Sequence, residues 1–322
     1  MRVFPTLLFL TAAASAVLAA NAGVTPIHVV VAQDGSGDFP TVQNAVDHIM
    51  DRVLAPFDGR VIIEIRPGVY HERVRVPADR PRITLRGQDA ATTKISYSVG
   101  AKDVGGTFFS AVVDITAAEF EAENITFENT YGVGTQAVAV SVHSDRAVFR
   151  HCRFLGMQDT LYAASGRQYY IDCYIAGHVD FIFGDAQAVF ERSEIRSLGP
   201  GFIAAVSRTM PVGPEGFVFD HCKLTAAQGT TGVYLGRPWR LYARVVYLDC
   251  WMGGHVRPEG WNNWNKPEAE KDAYFAEFNS DGPGGAMAAR VKWAHALSAA
   301  EAARFRAAAF LRGADGWNPE QR

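Results

Sequence analysis

The chain has 322 residues, 48% of them hydrophobic and 20% charged, with a formal net charge of -3. That length can bury a substantial core, and the charge balance excludes the basic field of a nucleic-acid binder and the polybasic patch of a membrane-surface protein. An anionic ligand would have to be gripped by a few local cations.

Residues 1–22 run from a charged start through an apolar stretch, PTLLFLTAAASAVLAA, to small side chains. This is the pattern of a secretory signal peptide, and it predicts export. No later stretch has the roughly 18 consecutive apolar residues of a membrane span, so residues 23–322 are expected to form one soluble domain. Ile27 to Val31 reads as a strand and Thr41 to Met50 as a short amphipathic helix with Thr41 as N-cap. The intervening AQDGSGDF lacks the glycine spacing and the Lys-Ser/Thr ending of a phosphate loop.

From Val61 onward the pattern is short strands: VIIEI, YHERVRV, RITLRG, TKISY, SAVVDI, NITFEN and AVAVSV. Then AVFRHCRF, YYIDCYI, AVFERSEI, FVFDHCKL and VVYLDCWM repeat one signature. Aligned on Ile125, Cys152, Cys173, Ser193, Cys222 and Cys250, the repeats step by 20 to 29 residues. A constant strand with variable loops predicts a solenoid, here an all-β, right-handed parallel β-helix. A sandwich whose strands share only composition is the competing reading. The register stacks Cys152 on Cys173 and Cys222 on Cys250, within reach of disulfides or equally of two thiol pairs in a dry core. Near the end, Ser298 and Glu301 fit a capping box, and the alanine-rich run to Leu311 predicts one helix folding back to cover an edge.

The chemistry concentrates between Gly156 and Gly184. Asp159 follows Cys152 by seven residues and Asp180 follows Cys173 by seven. If the backbone path repeats, the two carboxylates face each other at about one strand spacing, ~5 Å. Two acids that close do not both ionise readily, which supplies a nucleophile or base beside a general acid. Gln158 adjoins Asp159 and Gln136 lies about one turn earlier, so their amides are candidate donors to an oxyanion. In YLGRPW, Arg237 is placed to hold one Asp charged or simply to tie two turns together, and Trp239 offers a flat face to a sugar ring. GxSxG, HExxH and CxxC are absent from the sequence, which leaves serine-elbow and zinc chemistry without support.

These residues resemble the pectin methylesterase family (carbohydrate esterase family 8). The carrying motifs, in order, are Gly68-Val69-Tyr70-His71-Glu72, Gln136-Ala137-Val138-Ala139-Val140, Gln158-Asp159-Thr160-Leu161, Asp180-Phe181-Ile182-Phe183-Gly184 and Leu235-Gly236-Arg237-Pro238-Trp239. The likeness spans about residues 25 to 313. It implies a β-helix that hydrolyses methyl esters of polygalacturonate to demethylated pectin and methanol, with no metal and no cofactor. By that resemblance Asp180 is the nucleophile, Asp159 the acid and then base, Gln136 and Gln158 the oxyanion donors, and Arg237 the partner of Asp180. Trp239, with Tyr162 and Phe181, is expected to line the sugar cleft. The partner expected is methylesterified pectin, and the protein is expected as a secreted monomer without the long pro-domain of many plant members. His178 stands where many relatives carry a smaller residue. A backbone-cleaving pectate lyase or polygalacturonase, a non-catalytic carbohydrate-binding β-helix and an esterase for another ester are the alternatives.

Overall fold

Strands that alternate inward and outward side chains, joined by polar corners, have one economical way to bury a single apolar face: they coil. The computed structural model describes residues 24–52 and 57–321, so the expected signal segment, residues 1–22, lies outside the described residues. Eleven strands, from Ile27–Val31 through Ala147–Arg150, Arg167–Ile171, Gln187–Glu191, Gly216–Asp220 and Arg244–Leu248 to His295–Ala296, form one parallel sheet in chain order. A second sheet of 13 strands wraps the other two faces of the coil. Most turns use two short strands there, such as Arg153–Leu155 and Leu161–Ala163. Tyr174–Gly184 and Glu194–Val206, of 11 and 13 residues, run across both faces without a break. The architecture is the parallel β-helix that the repeats predict.

The predicted register holds turn by turn. The paired strands set Ile125, Cys152, Cys173, Ser193, Cys222 and Cys250 over one another. All four cysteines are buried free thiols, so the structure takes the dry-core alternative. Inside, the rings of Phe149, Tyr170, Phe190, Phe219 and Tyr247 stack face to face at 4.5–4.8 Å. Each ring buries its full area and gains about 0.5–1.5 kcal/mol more from its neighbour.

The residue before each register position has a left-handed backbone. Asn124, His151, Asp172, Arg192, His221 and Asp249, and Asn279 before Ser280 on the next turn, have φ between 45° and 57°. This turns the chain from one face to the next, and Asn, Asp and His tolerate it best. The strain is offset by a hydrogen-bond ladder: His151 N–H donates to the Ile171 carbonyl and Asp172 N–H to that of Glu191, both at 3.1 Å.

The helix Val42–His48 forms as expected, with Thr41 Oγ1 accepting from Asn44 N–H at 3.1 Å, and its Val42, Ala45 and Val46 join the core. The C-terminal helix differs from expectation. Its capping box is present, but the helix is cut into Ala299–Ala302, a 3-10 turn at Ala303–Phe305, and Ala307–Phe310. Arg306 leaves helical geometry to bridge Asp220 and Asp249 on the coil, and these ion pairs outweigh helix continuity. The segment also covers a face rather than an edge: Ala302, Ala307, Phe310 and Leu311 pack on Val148, Tyr169, Val189 and Val218.

At the C-terminal end, Glu277 is wholly buried and takes two hydrogen bonds from Arg290, at 2.8 and 3.0 Å, and one from the Trp261 indole at 3.1 Å. Truncating one partner strands the other charge. Glu277→Ala is expected to lower unfolding free energy by about 3–5 kcal/mol in urea denaturation, whereas an unchanged midpoint would mean the pair is energetically idle.

Candidate active site

On the third face, in-register pairing puts Ser141, Tyr162, Phe183, Ala205 and Arg237 in one outward row. Two positions before Leu161 and Ile182, which pair with each other, lie Asp159 and Asp180. The sequence spacing thus translates into two carboxyls on successive turns, about 4.8 Å apart along the axis. Both have left-handed backbones, φ 61° and 50°, in residues of a type that adopts this conformation locally. Asp159 N–H is fixed to the Val179 carbonyl at 3.0 Å. Register shifts on either side of Val179 accommodate the bend at Asp180.

Arg237 reaches Asp180 with both arms of its fork, Nε to Oδ1 at 2.8 Å and Nη2 to Oδ2 at 2.6 Å. A cavity of about 220 Å³ opens over the pair, lined by Gln136, Gln158, Asp159, Asp180, Arg237 and Trp239. The two glutamines thus stand on the same hollow as the two acids, and Ala137 N–H ties their segments by donating to the Gln158 carbonyl at 3.1 Å. A larger cleft of about 860 Å³ adjoins through Phe108 and carries Arg73, Arg75, Asp114 and His143. It holds no paired acids, so the chemistry belongs to the smaller hollow and the larger one extends it.

Burial pushes the Asp159 carboxyl up to about 8; the Asp180 charge adds to this and the Arg237 cation opposes it. Burial also raises Asp180, but there the guanidinium hydrogen bonds and charge pull the other way. The bidentate contact decides the order of ionisation: Asp180 loses its proton first, and Asp159 keeps its own at neutral pH. A carboxylate and a carboxylic acid then share one hollow.

Trp239 lines the cavity, and Tyr162 stands beside it, its ring 4.7 Å from Phe183 and 5.1 Å from Phe108. Phe181 is misplaced by the sequence reading. The bend at Asp180 turns it inward, where it has no exposure and packs in the core; Phe183, two residues on, takes the cleft position. His178 lies against Gly199 instead of lining the cavity, with its Nδ1 buried and without a hydrogen bond. Thr107, Phe108, Phe183, Ala205 and Trp264 complete the walls. The sequence reading missed Phe183, because alternation lapses at the bend and both Phe181 and Ile182 turn inward. It also missed Phe108, in the 3-10 turn Thr107–Phe109, and Trp264, because neither lies in a periodic strand. Among the described residues, one trio, Asp220, His221 and Asp249, has the proximity for a cation; Arg306 already bridges its two carboxylates.

An ionised carboxylate, a protonated one and two amide groups on one sugar-sized hollow make the equipment of a carboxylic ester hydrolase. The pectinesterase family model matches residues 28–314, and the chain belongs to this family. Pectinesterase 31 of Arabidopsis thaliana is 40% identical over 288 residues, covering 85% of this chain and 89% of that protein. The pectin methylesterase structure from carrot is 36% identical with a TM-score of 0.84, covering 89% of this chain and 93% of its own. A pectin methylesterase solved in complex with a hexasaccharide is 26% identical with a TM-score of 0.76, covering 92% and 99%. The chain is accordingly an ester hydrolase of pectin.

The raised Asp159 carboxyl has a consequence for stability. Its folded-state value lies above the unfolded one, so stability is fully present at low pH and declines as pH rises between about 4 and about 8. Asp159→Asn removes that decline. The melting temperature of the variant relative to the parent is expected to climb between pH 5 and pH 8.5, by several °C, in scanning calorimetry; a constant difference would show that Asp159 is not held protonated.

Proposed function

We propose that the reaction runs through Asp180 as nucleophile and Asp159 as proton donor and acceptor. The Asp180 carboxylate attacks the carbonyl carbon of a galacturonate methyl ester, and the oxyanion receives hydrogen bonds from the Gln136 and Gln158 amides. Collapse breaks the bond to methoxide, which takes the Asp159 proton and leaves as methanol. The acyl group stays on Asp180 as an anhydride. Asp159, now charged, removes a proton from water, the hydroxide attacks the sugar-side carbonyl, and Asp180 returns to carboxylate with Asp159 protonated. The observation that carries this reading is the two-armed contact of Arg237 with Asp180 beside a carboxyl pushed up to about 8.

Trp239 and Tyr162 present ring faces to the sugars, and the adjoining cleft gives a chain of methylesterified homogalacturonan room on the N-terminal side. A related enzyme solved with a hexasaccharide supports a polymer lying along such a groove. The same reading has the protein secreted and working as a monomer. Among the described residues no helix is long and apolar enough to cross a membrane.

The direct test is methanol release from highly methylated pectin with and without EDTA, following viscosity and ultraviolet absorbance together. Methanol in both conditions with steady viscosity and absorbance is expected. Loss of viscosity without methanol would mean the site cuts the backbone. Asp180→Ala is expected to reduce methanol release about 10⁴-fold or more with the fold retained. Because the leaving group needs the Asp159 proton, kcat/KM of the parent is expected to fall as pH rises through about 8; a rate still rising at pH 9.5 would contradict the acid role.

A further inference from the structure

Arg237 has a setting that its bond to Asp180 does not by itself require. The Phe202 ring centroid lies 3.8 Å from its guanidinium carbon and the Trp264 ring centroid 3.6 Å. Two rings at van der Waals contact with one small planar group do not fit on the same face, so they take opposite ones. The stack continues outward in both directions. Phe202 lies parallel to Tyr234 at 5.3 Å and 9°, and Arg257 covers Tyr234 at 4.9 Å. Beyond Trp264, the Lys266 ammonium sits 4.9 Å from the indole. Six side chains, three cations and three rings, therefore form one column in the order Arg257, Tyr234, Phe202, Arg237, Trp264, Lys266.

The chain spends conformational strain to complete this column. Trp264 and Asn265 both have left-handed backbones, φ 57° and 54°, a conformation rare for a bulky residue such as Trp. Two Asx turns hold them there: Asn262 Oδ1 accepts from Trp264 N–H at 2.8 Å and Asn263 Oδ1 from Asn265 N–H at 2.9 Å. Lys266 then donates to the Pro238 and Trp239 carbonyls at 3.2 and 2.9 Å, fastening the loop to the strand that bears Arg237.

We infer that Phe202 and Trp264 are positioning residues for ester hydrolysis, clamping both faces of the Arg237 guanidinium so that only its edge remains to meet Asp180. A guanidinium sandwiched between rings cannot tilt, and water is excluded from its faces. Its charge is then delivered to the Asp180 carboxylate undiluted, and the carboxylate is aimed into the cavity. A lysine could neutralise Asp180 as well but could not be clamped, because an ammonium has no faces. Among the described residues, Asp180 is faced by Asp159 from the preceding turn and by one cation, Arg237, so the clamp acts on the positive charge that Asp180 meets. The inference rests on the reading of Asp180 as the nucleophile.

Trp264 also walls the cavity, but Phe202 is not among the residues lining it, so Phe202 separates positioning from sugar contact. In full-length protein, Phe202→Leu is expected to lower kcat for methanol release about tenfold while KM stays within twofold. The acidic limb of the kcat/KM profile, which reports ionisation of Asp180, is expected to move to higher pH. Phe202→Tyr keeps a ring and is expected to restore both, and Arg237→Lys to reproduce the shifted limb more severely. Phe202→Met serves as a second ring-less variant should Phe202→Leu melt early. Parent-like kcat and an unmoved acidic limb in either folded ring-less variant would overturn the clamp. Asp180→Ala is measured alongside: if it keeps its activity, the nucleophile assignment fails and the clamp loses its purpose. If Asp180→Ala is dead and the ring-less variants behave as the parent, only the clamp fails.

Discussion

Each turn of the coil gives its backbone N–H groups to the turn beside it, so equivalent chain positions end up about 4.8 Å apart. The core exploits this by repeating side chains: rings lie on rings from Phe149 to Tyr247, and sulfur on sulfur at Cys152 and Cys173. Like on like suits apolar groups and is costly for charges. The same geometry that stabilises the interior therefore forces Asp159 and Asp180 into a conflict that their burial sharpens. The site is a place where the rule of repetition is kept although its electrostatics are unfavourable, and the unequal protonation of the pair is the outcome.

Arg237 resolves the conflict asymmetrically. It lies further along the same outward row as Phe183 and reaches back to Asp180, its one acidic hydrogen-bond partner among the described residues. One acid gains a two-armed bond to the cation and the other feels only its charge, so one repeated residue type acquires two chemical roles from position. Further support comes from beneath. Glu277 and Arg290 fix Trp261 and the carbonyls of Arg257 and Pro258, and this segment is zipped to Leu235 and Gly236 by hydrogen bonds of 2.7 and 3.2 Å. A buried ion pair at the end of the coil thus stiffens the strand that carries the arginine.

The repeat and the Asp pair were legible because both are written as spacing, and in-register pairing preserves spacing. The left-handed corners were legible in part: a polar residue stands before every register position, but nothing in the residue type states that it turns the chain. The family resemblance and its place beside Asp180 point to Phe181 as a cleft residue, but adjacency along the chain does not state which way a side chain points where the backbone bends. The tail could not be read as broken, since the partners of Arg306 are Asp220 and Asp249, remote in sequence and close only after coiling. Trp264 and Phe202 were invisible for the same reason: one sits in a loop without period, and the other matters only because Arg237 arrives two rungs from Asp180.

The five-ring ladder also bears on how the chain finds its native pairing. A rung displaced by one whole turn would still meet aromatic with aromatic and thiol with thiol, so the interior discriminates poorly against translation by a turn. Discrimination comes from what is not periodic. Segments between register positions vary from 20 to 29 residues, and the tail touches particular rungs through Arg306, Arg167 and Arg146. A slipped coil would leave these loops too long or too short and these arginines without their acids. The irregular outside is the vernier that fixes the register of a nearly self-similar inside.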